Sequence, residues 1–85
     1  MPEISRFLGI VISMLWADHV PPHFHARYGE FEVTVEIETG IVQGVFPRRA
    51  LRLLLEWFEL NRDGLVTDWV LCSKREMPKA IPPLE

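Results

Sequence analysis

Between His23 and Glu38 the chain alternates apolar and polar side chains almost without a break, and a period of two over that length admits little besides a β-hairpin. Phe24, Ala26 and Tyr28 share one face of the first half, while His23, His25 and Arg27 share the other. In the second half Phe31, Val33, Val35 and Ile37 alternate with Glu32, Thr34, Glu36 and Glu38. Gly29-Glu30 suits a two-residue type II′ turn, with glycine where a positive φ is needed. That turn predicts Arg27 opposite Glu32, His25 opposite Thr34 and His23 opposite Glu36. A one-residue slip would invert every side chain, so the register commits one face to the core and leaves the imidazoles on the other.

The flanking segments extend the hairpin into a sheet. Gly9 to Trp16 reads as a strand, with Ile10, Ile12, Met14 and Trp16 on one side and Val11, Ser13 and Leu15 on the other. Both sides are largely apolar, which predicts a central place. Ala17 to Pro22 is a loop, because the residue before each proline is pushed toward extended geometry. Thr39-Gly40 turns the chain into a last strand, Ile41 to Phe46.

Pro47 opens a long helix. Arg48, Arg49, Arg52, Glu56 and Glu59 form its polar stripe, and Ala50, Leu51, Leu53, Leu54, Leu55, Trp57, Phe58 and Leu60 cover the rest. So wide an apolar arc exceeds what one sheet face covers, which predicts a homodimer or a protein partner with Trp57 or Phe58 near its centre. Asn61 to Gly64 reads as a break, followed by a shorter amphipathic stretch on Leu65, Val66, Trp69, Val70 and Cys72. The expected fold is therefore α+β: a four-stranded antiparallel meander sheet followed by two helices packed on one face. It occupies residues 1–76, and 77–85, with three prolines, form an extended or mobile tail.

At 85 residues the chain is a single domain with a thin stability margin. Its one cysteine, Cys72, excludes an internal disulfide and a multi-cysteine zinc site, and fits a reducing cytoplasm. Cys72 has no basic neighbour on the preceding turn, so it should be inert. Nothing near the start reads as a signal peptide, and the apolar run from Phe7 to Trp16 is too short to span a bilayer, so no membrane association is expected. A net charge of −3 argues against avid, non-specific nucleic-acid binding.

All three histidines lie within seven residues, His19, His23 and His25, beside the stiff Pro21-Pro22 pair. Histidine is both the commonest metal ligand and the side chain that changes charge near neutral pH. His23 and His25 sit about 7 Å apart on one strand face. They could chelate a divalent ion such as zinc or nickel, with His19 from the loop and Glu36 from across the hairpin. The same face also suits acid–base chemistry, with His23 and His25 exchanging protons and Arg27 stabilising an anionic transition state, as in metal-free RNA cleavage. The row Glu32-Glu36-Glu38 would repel phosphates and opposes that use. The third reading is plain cross-strand pairing of His23 with Glu36 and Arg27 with Glu32. Arg48, Arg49, Arg52 and Trp57 are candidate contacts for a partner, with RNA open as a target.

Three blocks also carry a family resemblance: Met1-Pro2-Glu3-Ile4-Ser5-Arg6-Phe7, then Pro21-Pro22-His23-Phe24-His25-Ala26, then Arg49-Ala50-Leu51-Arg52-Leu53 with Glu56-Trp57 and Asn61. With Trp69 they cover nearly the whole chain, and it resembles the bacterial domain-of-unknown-function family 4160. Gly64 and Cys72 depart from the pattern. The resemblance implies a toxin-like component of a toxin–antitoxin pair, with a protein partner encoded nearby; whether the chain is an enzyme stays open.

Overall fold

The alternating segment folds as the predicted hairpin. In the computed structural model, which describes residues 2–85, Arg27 faces Glu32, His25 faces Thr34 and His23 faces Glu36. Gly29 takes φ +60° in the turn, a conformation costly to any residue with a Cβ.

In chain order the elements are β1 (Glu3–Phe7), β2 (Ile10–Ser13), β3 (His23–Tyr28), β4 (Phe31–Glu36), β5 (Val42–Val45), α1 (Arg48–Leu60) and α2 (Arg62–Ser73). The strands make one antiparallel meander in sequence order. The α+β class is as expected, but the sheet has five strands rather than four. The additional strand is β1, whose alternation is masked by an irregularity between Glu3 and Ser5 that buries Ile4 and Ser5 in succession. β2 stops at Ser13, short of the predicted Trp16. Met14 stays in the core, whereas Trp16 ends 45% exposed.

Ile10, Ile12, Phe24, Ala26, Val33 and Val35 line the covered face of the sheet. Trp57 packs its ring 5.4 Å from Phe7 and 5.8 Å from Phe24, and Phe58 also lies 5.8 Å from Phe24. Both are buried, which corrects the expectation that Trp57 or Phe58 centres an interface. Ala50, Leu54, Trp57 and Phe58 of the α1 arc are covered from within the chain, Leu51, Leu53 and Leu55 are partly buried, and Leu60 stays 72% exposed. Residues 77–85 are extended but docked: the Trp57 indole N–H donates to the Pro82 carbonyl at 2.9 Å, and the Ile81 N–H donates to the Ile4 carbonyl at 2.8 Å. Ile81 is buried, so of the extended or mobile end expected from the prolines the structure has the extended form, docked as a strap.

The break between the helices narrows to Asn61, and α2 runs through Gly64. A Cβ there would stand 3.6 Å from the Ile81 side chain, an ordinary contact, so the strap does not require glycine at this position. The inward line of α2 is Leu65, Asp68 and Cys72, while Val66 and Val70, expected on the apolar side, are exposed. Burial pushes the Cys72 thiol up, and the Asp68 charge adds to it, consistent with an inert thiol. Among the described residues no helix is long and apolar enough to cross a membrane.

Asp68 was not anticipated inside. Its Oδ1 accepts the Lys79 backbone N–H at 2.8 Å, which fastens the strap to α2. Burial pushes its carboxyl up, against the opposing pull of that hydrogen bond and of the Lys79 charge. A carboxyl raised on folding contributes stability that is complete below the ordinary carboxylate range and is lost as pH rises through the folded value. Asp68→Asn keeps an oxygen for the Lys79 N–H. Between about pH 4 and pH 7 its melting temperature should therefore fall less, or rise more, than that of the wild type. Parallel curves would mean that the carboxyl is not raised.

Candidate metal centre

The site is assembled where the chain leaves β2. Ala17 adopts φ +52° and its N–H donates to the Cys72 carbonyl at the end of α2, at 3.0 Å, so the loop doubles back over the open face of the sheet. That reversal delivers Asp18, whose side chain is only 9% exposed, onto the imidazoles of β3. Its Oδ1 accepts the His19 backbone N–H at 2.8 Å. Its Oδ2 lies 2.8 Å from His23 Nε2 and 3.6 Å from His25 Nε2.

His23 is held from both sides. Its Nδ1 stands 2.7 Å from the Pro21 carbonyl, which follows the cis Val20–Pro21 bond, and its ring packs 5.3 Å from that of Trp69 on α2. A carbonyl oxygen only accepts, so Nδ1 carries the proton in this contact. A neutral imidazole then turns a lone pair on Nε2 toward a carboxylate oxygen, which also only accepts. The 2.8 Å contact is favourable only with a cation at Nε2: a second proton, or a metal ion between ring and carboxylate. Donation of the far ring nitrogen to a carbonyl is also the usual way in which proteins orient a ligating histidine.

His25 presents the complementary anomaly. Both ring nitrogens are buried and, among the described residues, have no partner within hydrogen-bond distance, Nε2 standing 3.6 Å from Asp18 and Nδ1 3.8 Å from Glu32 Oε2. Leaving a buried polar atom unmatched costs about 1–3 kcal/mol. One ligand atom from each of Asp18, His23 and His25 falls in a group within 4.8 Å. Around a tetrahedral zinc ion with bonds of about 2.1 Å, neighbouring ligand atoms stand about 3.4 Å apart. The two distances to Asp18 Oδ2 bracket that value. Burial alone would raise the Asp18 carboxyl, but the His19 N–H, the charges of His23 and His19, and His25 outweigh it and hold it below the ordinary range. The carboxylate is thus kept ready for a cation.

The other candidates divide. His19 reaches Asp18 Oδ1 through Nδ1 at 2.9 Å, but its side chain is 84% exposed, so it lies outside the buried group. Glu36 lines the same groove of about 340 Å³, together with Thr34 and Gln43, without joining the ligand atoms. The pairing of His23 with Glu36 is replaced by the bond to Asp18, because the carboxylate arrives from the loop directly over the ring. Arg27 lines a second groove on the other side of His25, with Glu3 and Glu32. Arg48, Arg49 and Arg52 are exposed on α1, beyond the covered face of the sheet, and Trp57 is core. Asp18 is the residue that the sequence reading passed over; a carboxylate one turn of loop ahead of a His-x-His strand was the available signal.

A protein-family comparison matches residues 9–70 to the family described as a domain of unknown function, DUF4160. No curated protein and no solved structure matches the chain. The matched span contains β2 to α1, most of α2 and every residue of the histidine–aspartate group. It exceeds half of the sequence, and the chain belongs to the DUF4160 family.

Proposed function

We propose that this is a divalent-metal protein in which Asp18, His23 and His25 hold one transition-metal ion, zinc fitting the donor set best, and that its activity is metal-assisted hydrolysis. The observation that supports the reading is the convergence of ligand atoms of Asp18, His23 and His25 within 4.8 Å, beside a His23 whose Nδ1 faces the Pro21 carbonyl and leaves Nε2 toward the carboxylate. Two histidines and one carboxylate are a ligand set that leaves coordination positions for water or substrate, as catalytic zinc sites do. The Glu36 carboxylate lines the same groove and would supply a base there. The acidic row of Glu32 and Glu36 favours a neutral or cationic substrate over RNA. Metal-free acid–base catalysis fits less well, since both nitrogens of His23 are engaged and both of His25 are buried.

Untagged protein should purify with, or take up, close to one equivalent of zinc or nickel. At 100 times the dissociation constant the ion should add about 2.7 kcal/mol of stability, visible as a higher melting temperature. Protein without metal by elemental analysis, and with an unchanged melt on adding either ion, would refute the reading.

A second reading, the toxin–antitoxin-like component in a bacterial cytoplasm, is supported by Val66 and Val70. They stand one turn apart on the outer side of α2 and stay exposed, as a protein contact would require. Co-expression with the product of the adjacent gene, scoring growth and co-purification, tests it.

A further inference from the structure

The two histidines of the metal centre are backed by different groups. Behind His23 stands the Pro21 carbonyl, 2.7 Å from Nδ1, which holds that ring with Nε2 toward Asp18. Behind His25 stands a carboxylate. The strand register sets Arg27 directly opposite Glu32 and makes His25 its diagonal neighbour on the open face. Yet the ionic contact that Glu32 makes among the described residues is with the imidazole, Oε2 lying 3.8 Å from Nδ1.

That nitrogen has little else to turn to. His25 Nδ1 is closed to solvent, so bulk water does not serve it, and no other acceptor among the described residues lies at bonding distance. The Glu32 side chain is 58% exposed and borders a groove of about 180 Å³ with Val11, Ser13 and Arg27. A carboxylate on an exposed stem is free to close from 3.8 Å to the roughly 2.8 Å of a charge-assisted hydrogen bond. Ligation decides where the proton sits. A neutral imidazole that gives Nε2 to a metal ion carries its hydrogen on Nδ1, and a buried donor left without an acceptor is costly.

We infer that Glu32 is a positioning residue of the metal centre: its carboxylate accepts the His25 Nδ1–H when Nε2 ligates the ion, and so fixes the tautomer and the ring angle of that ligand. The inference rests on the metal reading above and adds to it a residue outside the ligand group. A ligating histidine usually donates its far N–H to a carboxylate, a backbone carbonyl or water, and this centre uses one carbonyl and one carboxylate. The two grooves that flank His25 then have separate roles. The one lined by Glu36 serves the open side of the ion, and the one lined by Glu32 houses the support behind the ring.

Calorimetric zinc titration of the untagged chain, with proton–nitrogen NMR correlation of the imidazoles, tests it. Glu32→Ala should bind zinc about 10–100-fold more weakly than the wild type, the usual effect of losing a partner behind a ligand. Glu32→Gln keeps an acceptor oxygen and should recover part of that loss. Glu30→Ala removes the same charge from the exposed turn of the same hairpin and should stay within about twofold of the wild type, as a screened surface charge does. In the zinc-loaded wild type His25 should carry a slowly exchanging proton on Nδ1. Glu32→Ala should speed that exchange and leave the His23 Nδ1–H, held by Pro21, as it was. The metal-free melting temperature should change little, since the Glu32 side chain is largely exposed. Zinc held as tightly by Glu32→Ala as by the wild type would overturn the inference and leave the ligand group standing. So would equal weakening by Glu30→Ala, or a zinc-loaded His25 that is protonated on Nε2. A wild-type chain that takes up no zinc would remove the metal reading and this inference with it.

Discussion

Trp57→Ala should cost the protein a large part of its folding stability. Removing a fully buried tryptophan typically costs about 3–5 kcal/mol, and a domain of this length has only about 4–13 kcal/mol in total. Trp57 is 0% exposed, sits between Phe7 and Phe24, and anchors the strap through Pro82, so both the sheet contact and the strap depend on it. Trp57→Phe keeps most of the ring and loses the Pro82 bond, so it should cost less. Trp16→Ala, at a half-exposed position outside the strand, should stay within about 1 kcal/mol of wild type. Urea unfolding followed by circular dichroism checks the order. Equal costs for Trp57→Ala and Trp16→Ala would show that the strap and α1 do not close over the sheet as described.

The second large effect has opposite signs on stability and on binding. His25→Leu replaces an imidazole whose buried nitrogens have no partner with an apolar group of similar size. The metal-free protein should therefore gain about 1–3 kcal/mol, while metal affinity should fall by more than the roughly 10–100-fold that follows loss of a partner lying behind a ligand. A residue that costs stability when the ion is absent and is needed when it is present marks a functional position. His19→Ala should change neither quantity much, since that ring is exposed. Calorimetric zinc titration together with melting curves separates the two terms. A His25→Leu chain that is less stable than wild type and still binds zinc at full strength would assign His25 a structural role.

How far the sequence carried these conclusions depended on whether a pattern was local. The β3–β4 register was legible because turn type and alternation agree over sixteen consecutive residues, His23 to Glu38. β1 was not, because an irregularity near its start buries neighbouring Ile4 and Ser5 and breaks the period of two. The width of the apolar arc on α1 was legible, but Trp57 and Phe58, read as the centre of a contact with another molecule, are covered within the chain. The strap bonded to Trp57 is proline-rich, and proline hides a docked segment by removing the N–H groups from which pairing is usually inferred, while the Pro82 carbonyl remains free to accept. The imidazoles were legible as a cluster. Asp18 was not, since its place over β3 arises from the reversal at Ala17 and the tie from Ala17 to Cys72, a contact between residues far apart in the chain. Exposed His19 and register-paired Glu36 were nearer by sequence logic and lie outside the ligand group.

The most direct test of the metal centre is a crystal of the untagged protein grown with one equivalent of zinc, measured at the zinc absorption edge. The account predicts one anomalous peak within about 2.0–2.2 Å of His23 Nε2, His25 Nε2 and an Asp18 oxygen, with His23 Nδ1 still bonded to Pro21 and a water completing the shell on the groove side. An empty position there, with Asp18 and His23 still in direct 2.8 Å contact, or a zinc ion held instead by His19 and Glu36, would contradict it.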